Sequence, residues 1–201
     1  MKPLLSAALA LAVLFLASPA AASPTSSEEA RVGQPAPAFS LKDESGQAHD
    51  LSQYKGKVVV LEWTNPECPF VQRHYKARTM TKALEGVDAS KVVWLAVDSS
   101  AGHTPESAKA WKQQQGFSYP VLLDGEGRTG QAYGAKTTPH MYVIDAQGVL
   151  RYAGAIDDDP RGSSKAAKNH VRTAVDALLG GKPVPASSTK PYGCSVKYKA
   201  S

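Results

Sequence analysis

Hydrophobic and polar residues follow one another along the middle of the chain in an order that predicts strand, helix and strand. The run over 57–63, Lys-Val-Val-Val-Leu-Glu-Trp, is mostly apolar and β-branched, as a buried central strand requires, and 92–97 has the same character. Between them, apolar residues recur at helical spacing after Cys68 until Gly86 stops the pattern. We therefore predict a strand, a sharp turn at Cys68, one helix that ends near Gly86, and a second buried strand.

The rest of the chain completes an α/β pattern. Its other predicted elements are, in chain order, a hairpin over 39–54, a helix from the cap Thr104 and Pro105 to Gly116, a strand over 119–123, a short helix over 129–133, a hairpin of strands 141–145 and 149–153, and a last helix capped by Ser163 or Ser164 that ends at Gly180. This order is typical of a thioredoxin-like fold with an N-terminal β-hairpin and an inserted helix and strand. The pattern alone also fits other three-layer α/β folds.

The first residues differ in kind from the domain. Residues 1–22 contain Lys2, a predominantly apolar run over 4–17 and three alanines at 20–22, which predicts a secretory signal peptide. The apolar run is shorter than the roughly 18 residues that a membrane-spanning helix needs. We therefore expect a protein secreted into a bacterial periplasm without a stable membrane anchor, with a polar, disordered lead-in over 23–31.

One domain over 32–181 and a C-terminal tail over 182–201 account for the rest of the chain, since single domains commonly reach about 200 residues. The tail contains three prolines and alternates over 192–198 as a short strand would. The formal net charge of +5 comes from dispersed basic residues. Because nucleic-acid binding needs a concentrated basic surface, we expect no nucleic-acid partner.

Cys68 and Cys194 are the only cysteines of the chain. In an oxidising compartment such a pair usually becomes bonded, which by itself favours a structural disulfide. Cys68, however, follows a predicted buried strand and precedes Pro69, which suits the first turn of a helix. The positive end of a helix favours an anion, and it should lower the pKa of a thiol from its free value of about 8.5. The thiolate is the form that attacks peroxides and disulfides.

Thr138 and Pro139 lead directly into the predicted strand 141–145. A cis peptide bond at this position would let the Thr138 backbone face the thiol and pair with an extended partner. The alternative is an ordinary proline at the first residue of a strand.

Several segments together resemble the redoxin superfamily, which includes peroxiredoxins of the alkyl hydroperoxide reductase and thiol-specific antioxidant type. Similarity is greatest to its peroxiredoxin-like thioredoxin-family proteins. The segments are Val-Gly-Gln-Pro-Ala-Pro-Ala-Phe at 32–39, Tyr-Lys-Gly-Lys-Val-Val-Val at 54–60, Trp-Thr-Asn-Pro-Glu-Cys-Pro-Phe-Val at 63–71, Thr-Pro at 138–139, Ile-Asp at 144–145 and Gly-Cys-Ser-Val-Lys-Tyr at 193–198. The resemblance implies a thioredoxin fold, Cys68 as nucleophile and Pro139 at the cis-proline position.

Two residues depart from the patterns of this superfamily. Val71 stands where thioredoxins have the second cysteine of a dithiol, so a local dithiol reductase is excluded. Asn65 stands where peroxiredoxins have a threonine that holds the peroxide, with Thr64 beside it. We expect Thr64, Asn65, Thr138 and Pro139 to bind the substrate or partner.

Cys194 separates two functional hypotheses. In the first, the chain is a thiol-disulfide oxidoreductase or thiol peroxidase in which Cys194, on a flexible tail, resolves oxidised Cys68 and an external thiol restores both. A partner disulfide protein, a peroxide or another small molecule would be the substrate. In the second, a fixed Cys68–Cys194 disulfide pins the tail of a non-catalytic binding protein.

We expect no cofactor and no metal site. The chain lacks the clustered cysteine and histidine pairs of zinc sites, and a metal carrier would have only one thiol at the site. We assign no role to His74, which lies along the helix from Cys68, and interpret the acidic run 157–159 as a solvated turn.

Overall fold

The computed structural model describes residues 29–164 and 166–200. The predicted signal peptide lies outside them, and so does the lead-in up to residue 28. The strands are β1 (Ser40–Asp43), β2 (Ala48–Asp50), β3 (Val58–Trp63), β4 (Val92–Asp98), β5 (Val121–Leu123), β6 (Thr137–Thr138), β7 (His140–Ile144), β8 (Leu150–Gly154) and β9 (Cys194–Ser195). The helices are α1 (Pro69–Lys76), α2 (Thr79–Lys82), α3 (Pro105–Gln115), α4 (Arg128–Tyr133) and α5 (His170–Leu179).

Seven strands form one mixed sheet in the order β2-β1-β5-β4-β3-β7-β8. Strand β3 is parallel to β4 and antiparallel to β7, and β4 is parallel to β5. The predicted hairpins are β1 with β2 and β7 with β8, and α3 with β5 forms the inserted helix and strand. The carboxyl ends of β3 and β4 therefore meet at one edge, where the loop to α1 begins.

Both faces of the sheet are buried, which explains the continuous apolar run of β3. Val60 faces a core that includes α1, α3 and α5, whereas Leu61 and Trp63 face a second core with α4. All three residues have no exposed surface. A strand covered on both sides cannot show the apolar and polar alternation of a half-exposed one.

The single helix predicted from Cys68 to Gly86 is wrong, because the chain breaks it into α1 and α2. Arg78 lies between them with a φ of 58°, the left-handed region. This one residue changes the direction of the chain so that Met80 and Ala83 join the core that Tyr75 already fills.

The predicted start of the last helix is also wrong. Asn169, and not Ser163 or Ser164, caps α5, and its side chain accepts a hydrogen bond from the N–H of Arg172 at 2.8 Å. The preceding loop is held in a non-helical path by carboxylates, since Asp159 accepts from the N–H of Ser164 at 2.6 Å. Side-chain bonds of this kind compete with helix formation.

The C-terminal tail is packed along the domain, in contrast to the flexible arm that the sequence predicted. Ala153 of the edge strand β8 donates to the carbonyl of Ser187 at 3.1 Å and accepts from the N–H of Thr189 at 3.2 Å. Further along, β9 pairs with β6 in a separate two-stranded sheet. Across residues 29–164 and 166–200, no helix has the length and apolar character needed to cross a membrane.

Candidate active site

Cys68 occupies the N-cap of α1, with Pro69 at the first helical position as the sequence predicted. A tight turn connects it to β3, because the N–H of Cys68 donates to the carbonyl of Asn65 at 3.0 Å. The side-chain oxygen of Asn65 accepts from the N–H of Glu67 at 2.7 Å. That oxygen of Asn65 therefore shapes the loop that presents the thiol.

The fold brings Cys68, Cys194 and Thr138 together. The Sγ atoms of the two cysteines lie 2.8 Å apart, and both are free thiols. The Cys68 thiol also donates to the carbonyl of Thr138 at 3.0 Å. The bond between Thr138 and Pro139 is cis, as the resemblance implied, so the Thr138 backbone faces the thiol.

The two thiols have pKa values that depart in opposite directions. Burial raises the pKa of the Cys68 thiol, but hydrogen bonds with Cys194 and with the backbone N–H of Val71 outweigh burial and leave the pKa below its usual value. For Cys194, burial and the neighbouring Cys68 raise the pKa to about 11, although Lys197 acts against them. Cys68 is therefore the more acidic of the two thiols and loses its proton before Cys194 does.

Cys194 reaches this position because β9 pairs with β6 in antiparallel register, Thr138 opposite Cys194. The preceding Gly193 has a φ of 140°, and a Cβ atom there would lie 2.1 Å from the carbonyl oxygen of Thr138. Only glycine permits this approach between the two backbones.

A polar cluster that the sequence did not predict holds the tail two residues before Cys194. The hydroxyl of Tyr192 donates to the carboxylate of Asp157 and contacts Nε2 of His74 at 3.1 Å. Asp157 and Asp159 are buried, so the interpretation of 157–159 as a solvated turn is wrong. Burial lowers the pKa of His74 to about 4, so its imidazole is neutral near pH 7.

Glu62 is a second buried group that sequence reasoning missed. Its carboxylate accepts from Nε1 of Trp94 at 2.9 Å and from the hydroxyl of Tyr75 at 3.1 Å, and Tyr119 bonds to Tyr75 at 2.8 Å. Burial raises the pKa of Glu62 to about 7, against the opposing effect of these hydrogen bonds. The sequence signal that could have identified Glu62 is a charged residue within an otherwise apolar predicted strand.

The remaining predicted site residues are Thr64, which directly follows β3, and Pro139, which follows the carbonyl that contacts the thiol. Thr64 and Thr138 have no exposed surface, and within the described residues neither hydroxyl makes a hydrogen bond of ordinary geometry. Val71 is buried in the core.

The AhpC/TSA family matches residues 32–153, more than half of the chain. The chain belongs to this family. The match includes Cys68 and Pro139 and ends before the tail that carries Cys194. The predicted redoxin resemblance is thereby confirmed.

Curated relatives of this AhpC/TSA protein agree with that assignment. The thiol:disulfide interchange protein DsbE of Escherichia coli is 30% identical over 142 residues, which cover 69% of this chain and 72% of DsbE. A Mycobacterium tuberculosis protein that carries the provisional name of a peroxiredoxin is 28% identical over 131 residues, 63% of this chain and 78% of its own. The predicted class, a thiol-disulfide oxidoreductase or thiol peroxidase, is confirmed at this level.

Solved structures show that this chain has a thioredoxin-like fold. A hypothetical protein from Sinorhizobium meliloti superposes with a TM-score of 0.76 at 27% identity, over 87% of this chain and 98% of that one. A DsbE-type protein from Chlorobium tepidum, at 24% identity and a TM-score of 0.55 over 62% of this chain and 85% of its own, supports the fold alone. The predicted α/β thioredoxin-like fold is confirmed.

Proposed function

We propose that the chain is an exported, peroxiredoxin-like thiol peroxidase in which Cys68 is the nucleophile and Cys194 the resolving cysteine. The Cys68 thiolate attacks one peroxide oxygen, the O–O bond breaks, and the departing oxygen takes up a proton from solvent. The products are a sulfenic acid on Cys68 and an alcohol or water. The Cys194 thiol then attacks the sulfenic sulfur, forming the Cys68–Cys194 disulfide and releasing water. Two external thiols reduce the disulfide and become a disulfide themselves.

The 2.8 Å approach of two free thiols at the start of α1 is the observation that carries this proposal. No further movement of the tail is needed to bring the resolving sulfur to Cys68. A disulfide that only pinned the tail would not require Cys68 at a helix N-terminus, with a pKa held below the usual value of a thiol.

The hydroxyl of Thr138 supports peroxide as the small substrate. This hydroxyl is buried and has no hydrogen-bond partner among the described residues, which is costly for a polar group, and the carbonyl of the same residue contacts the Cys68 thiol. An oxygen of a bound peroxide would satisfy such a donor. Because Val71 supplies no second thiol beside Cys68, resolution depends on Cys194.

Intact-mass measurement of the reduced protein after one equivalent of hydrogen peroxide tests the mechanism. We expect rapid loss of two hydrogens in the parent chain. In Cys194→Ser we expect a gain of one oxygen that dimedone traps on Cys68. Cys68→Ser, which keeps only the resolving thiol, is the matched control and should react about as slowly as free cysteine.

Two results would support a fixed structural disulfide instead. One is a Cys68–Cys194 bond that resists dithiothreitol in the native state. The other is a parent chain that reacts with peroxide no faster than Cys68→Ser. If the protein is oxidised by disulfide compounds but not by peroxide, Cys68 remains the proposed nucleophile. The proposed substrate is then a partner disulfide and not a peroxide.

Export is the second part of the proposal, and the composition of residues 1–22 supports it. Expression of the full chain in a Gram-negative host, followed by osmotic shock, should release a product whose mass corresponds to a start at residue 23. Replacement of Leu14 by Arg, which interrupts the apolar run, should leave the full-length chain inside the cell. An uncleaved parent chain in the cytoplasmic fraction would contradict export.

A further inference from the structure

Strand β9 of the tail occupies the edge of β6, beside Cys68, on which an extended chain would pair. Strand β6 has a single partner among the described strands, and that partner is β9 from the same chain. Pairing continues one residue further, because the N–H of Val196 donates to the carbonyl of Lys136 at 3.2 Å. The backbone groups that would recognise a peptide are therefore already used.

Side chains on both sides of β9 hold the tail in this groove. On one side Tyr192 is bonded to Asp157 and packs against the Phe70 ring at a centroid distance of 6.0 Å. On the other side Val196 is buried in the core, and the hydroxyl of Tyr198 donates to the carbonyl of Ala135 at 2.8 Å. An incoming peptide would have to displace all of these contacts to reach the edge.

The two cysteines differ in solvent exposure as a result. Cys68 retains 2% of its surface, whereas Cys194 is partly exposed and the neighbouring Ser195 is exposed. A protein-sized reactant therefore meets Cys194 first.

We infer that β9 closes Cys68 to protein disulfides and thiols, so that thiol-bearing partner proteins exchange with Cys194 while Cys68 reacts with small oxidants. This inference rests on the proposed function and adds the substrate class and the direction of exchange. A small oxidant has only to reach the sulfur and not the pairing edge.

The chemistry of exchange favours the same direction. A partner thiolate attacks Sγ of Cys194 in the Cys68–Cys194 disulfide, a bond forms between them, and the old S–S bond breaks to release the Cys68 thiolate. A second thiol of the partner then attacks the mixed disulfide and releases Cys194 as a thiol, so the partner is oxidised and the pair reduced. The thiol with the lower pKa leaves faster, and that thiol is Cys68.

Trapping of the mixed disulfide tests the direction of exchange on the unaltered chain. The oxidised protein is mixed with a thioredoxin in which the second cysteine of the reactive pair is serine, quenched with acid and N-ethylmaleimide, and mapped by mass spectrometry. We expect at least tenfold more adduct on Cys194 than on Cys68. An adduct mainly on Cys68 would overturn the inference.

Release of β9 tests the closure of the groove. The test uses a Cys194→Ser background, in which Cys68 is the one remaining thiol. The rate at which reduced Cys68 exchanges with a disulfide is measured for insulin and for hydroxyethyl disulfide. Gly193→Val, whose side chain would collide with the Thr138 carbonyl, should raise the ratio of insulin rate to small-disulfide rate at least tenfold. Gly125→Val is the matched control, because its added Cβ meets nothing within 4 Å, and the ratio should not change.

The outcomes separate this inference from the proposed function. An unchanged ratio in Gly193→Val, or a high insulin rate in the Cys194→Ser parent, overturns the closed groove and leaves Cys68 as the nucleophile. If Cys68 reacts with neither disulfide nor with peroxide in any variant, the proposed function is overturned, and this inference is overturned with it.

Discussion

Burial alone would make Cys68 a poor nucleophile, because a thiolate is costly to bury. Its pKa nevertheless lies below the usual value, and the hydrogen bond with Cys194 is the largest of the effects that lower it. Cys194, the resolving cysteine in our proposal, therefore also affects Cys68 before any oxidation takes place. A donor at position 194 stabilises the thiolate on Cys68.

Substitution of Cys194 by alanine or by serine separates these two contributions. Alanine removes both the thiol and the hydrogen-bond donor, whereas serine removes the thiol and keeps a donor. We expect the pKa of Cys68 to be higher in Cys194→Ala than in Cys194→Ser. The pH dependence of the rate of alkylation by iodoacetamide, which follows the thiolate, measures both values.

Equal pKa values in the two variants would contradict this role of Cys194. Cys68→Ser serves as the control for alkylation at other positions, since it retains only Cys194. Circular dichroism of all three variants checks that the fold is preserved.

Single residues of the site could be predicted from the sequence where one residue type carries the signal. Cys68, Cys194 and the Thr138–Pro139 pair belong to that group, and the structure brings them together. The role of Tyr192 could not be predicted, because its partners Asp157 and His74 lie 35 and 118 residues away along the chain. No local pattern indicates contacts that only the fold creates.

At the scale of elements, the strands and the cap of α3 could be predicted, whereas the ends of two helices could not. Thr104 caps α3 through a hydrogen bond from the N–H of Ser107, as its residue type and the following proline indicate. Arg78 gives no such signal, since non-glycine residues seldom adopt positive φ. Ser163 and Ser164 are suitable caps by type, but Asp159 already binds the N–H of Ser164.

The true start of α5 can be tested by removing its cap. We expect Asn169→Ala to lower the free energy of unfolding by about 1 kcal/mol, because the N–H of Arg172 loses its acceptor. Ser163→Ala, at the start predicted from the sequence, should change it by less than about 0.5 kcal/mol. Urea unfolding of the reduced proteins measures both changes. A larger loss in Ser163→Ala than in Asn169→Ala would contradict the observed start.

At the scale of the whole molecule, one buried carboxyl connects the core to pH. Glu62 lies on the central strand β3, and the aromatic residues that contact it come from α1, β4 and the segment before β5. Protonation of this one group therefore affects the packing of several elements at once.

The sign of the effect follows from the direction of the pKa shift. Burial raises the pKa of Glu62 from 4.5 to about 7, so the folded state binds its proton more tightly than the unfolded chain does. Its contribution to stability is fully present below about pH 4.5 and is lost as the pH rises through about 7.

Comparison with a variant that cannot ionise isolates this contribution. We expect the free energy of unfolding of the parent, minus that of Glu62→Gln, to fall by on the order of 3 kcal/mol between pH 4 and pH 8. Urea titrations under reducing conditions keep both thiols in one state across the series. Glu126→Gln, at an exposed position, is the matched control, since exposed carboxylates contribute little to stability. Parallel pH curves for the parent and Glu62→Gln would mean that the pKa of Glu62 is the same in the folded protein and the unfolded chain, which would contradict the rise in pKa caused by burial.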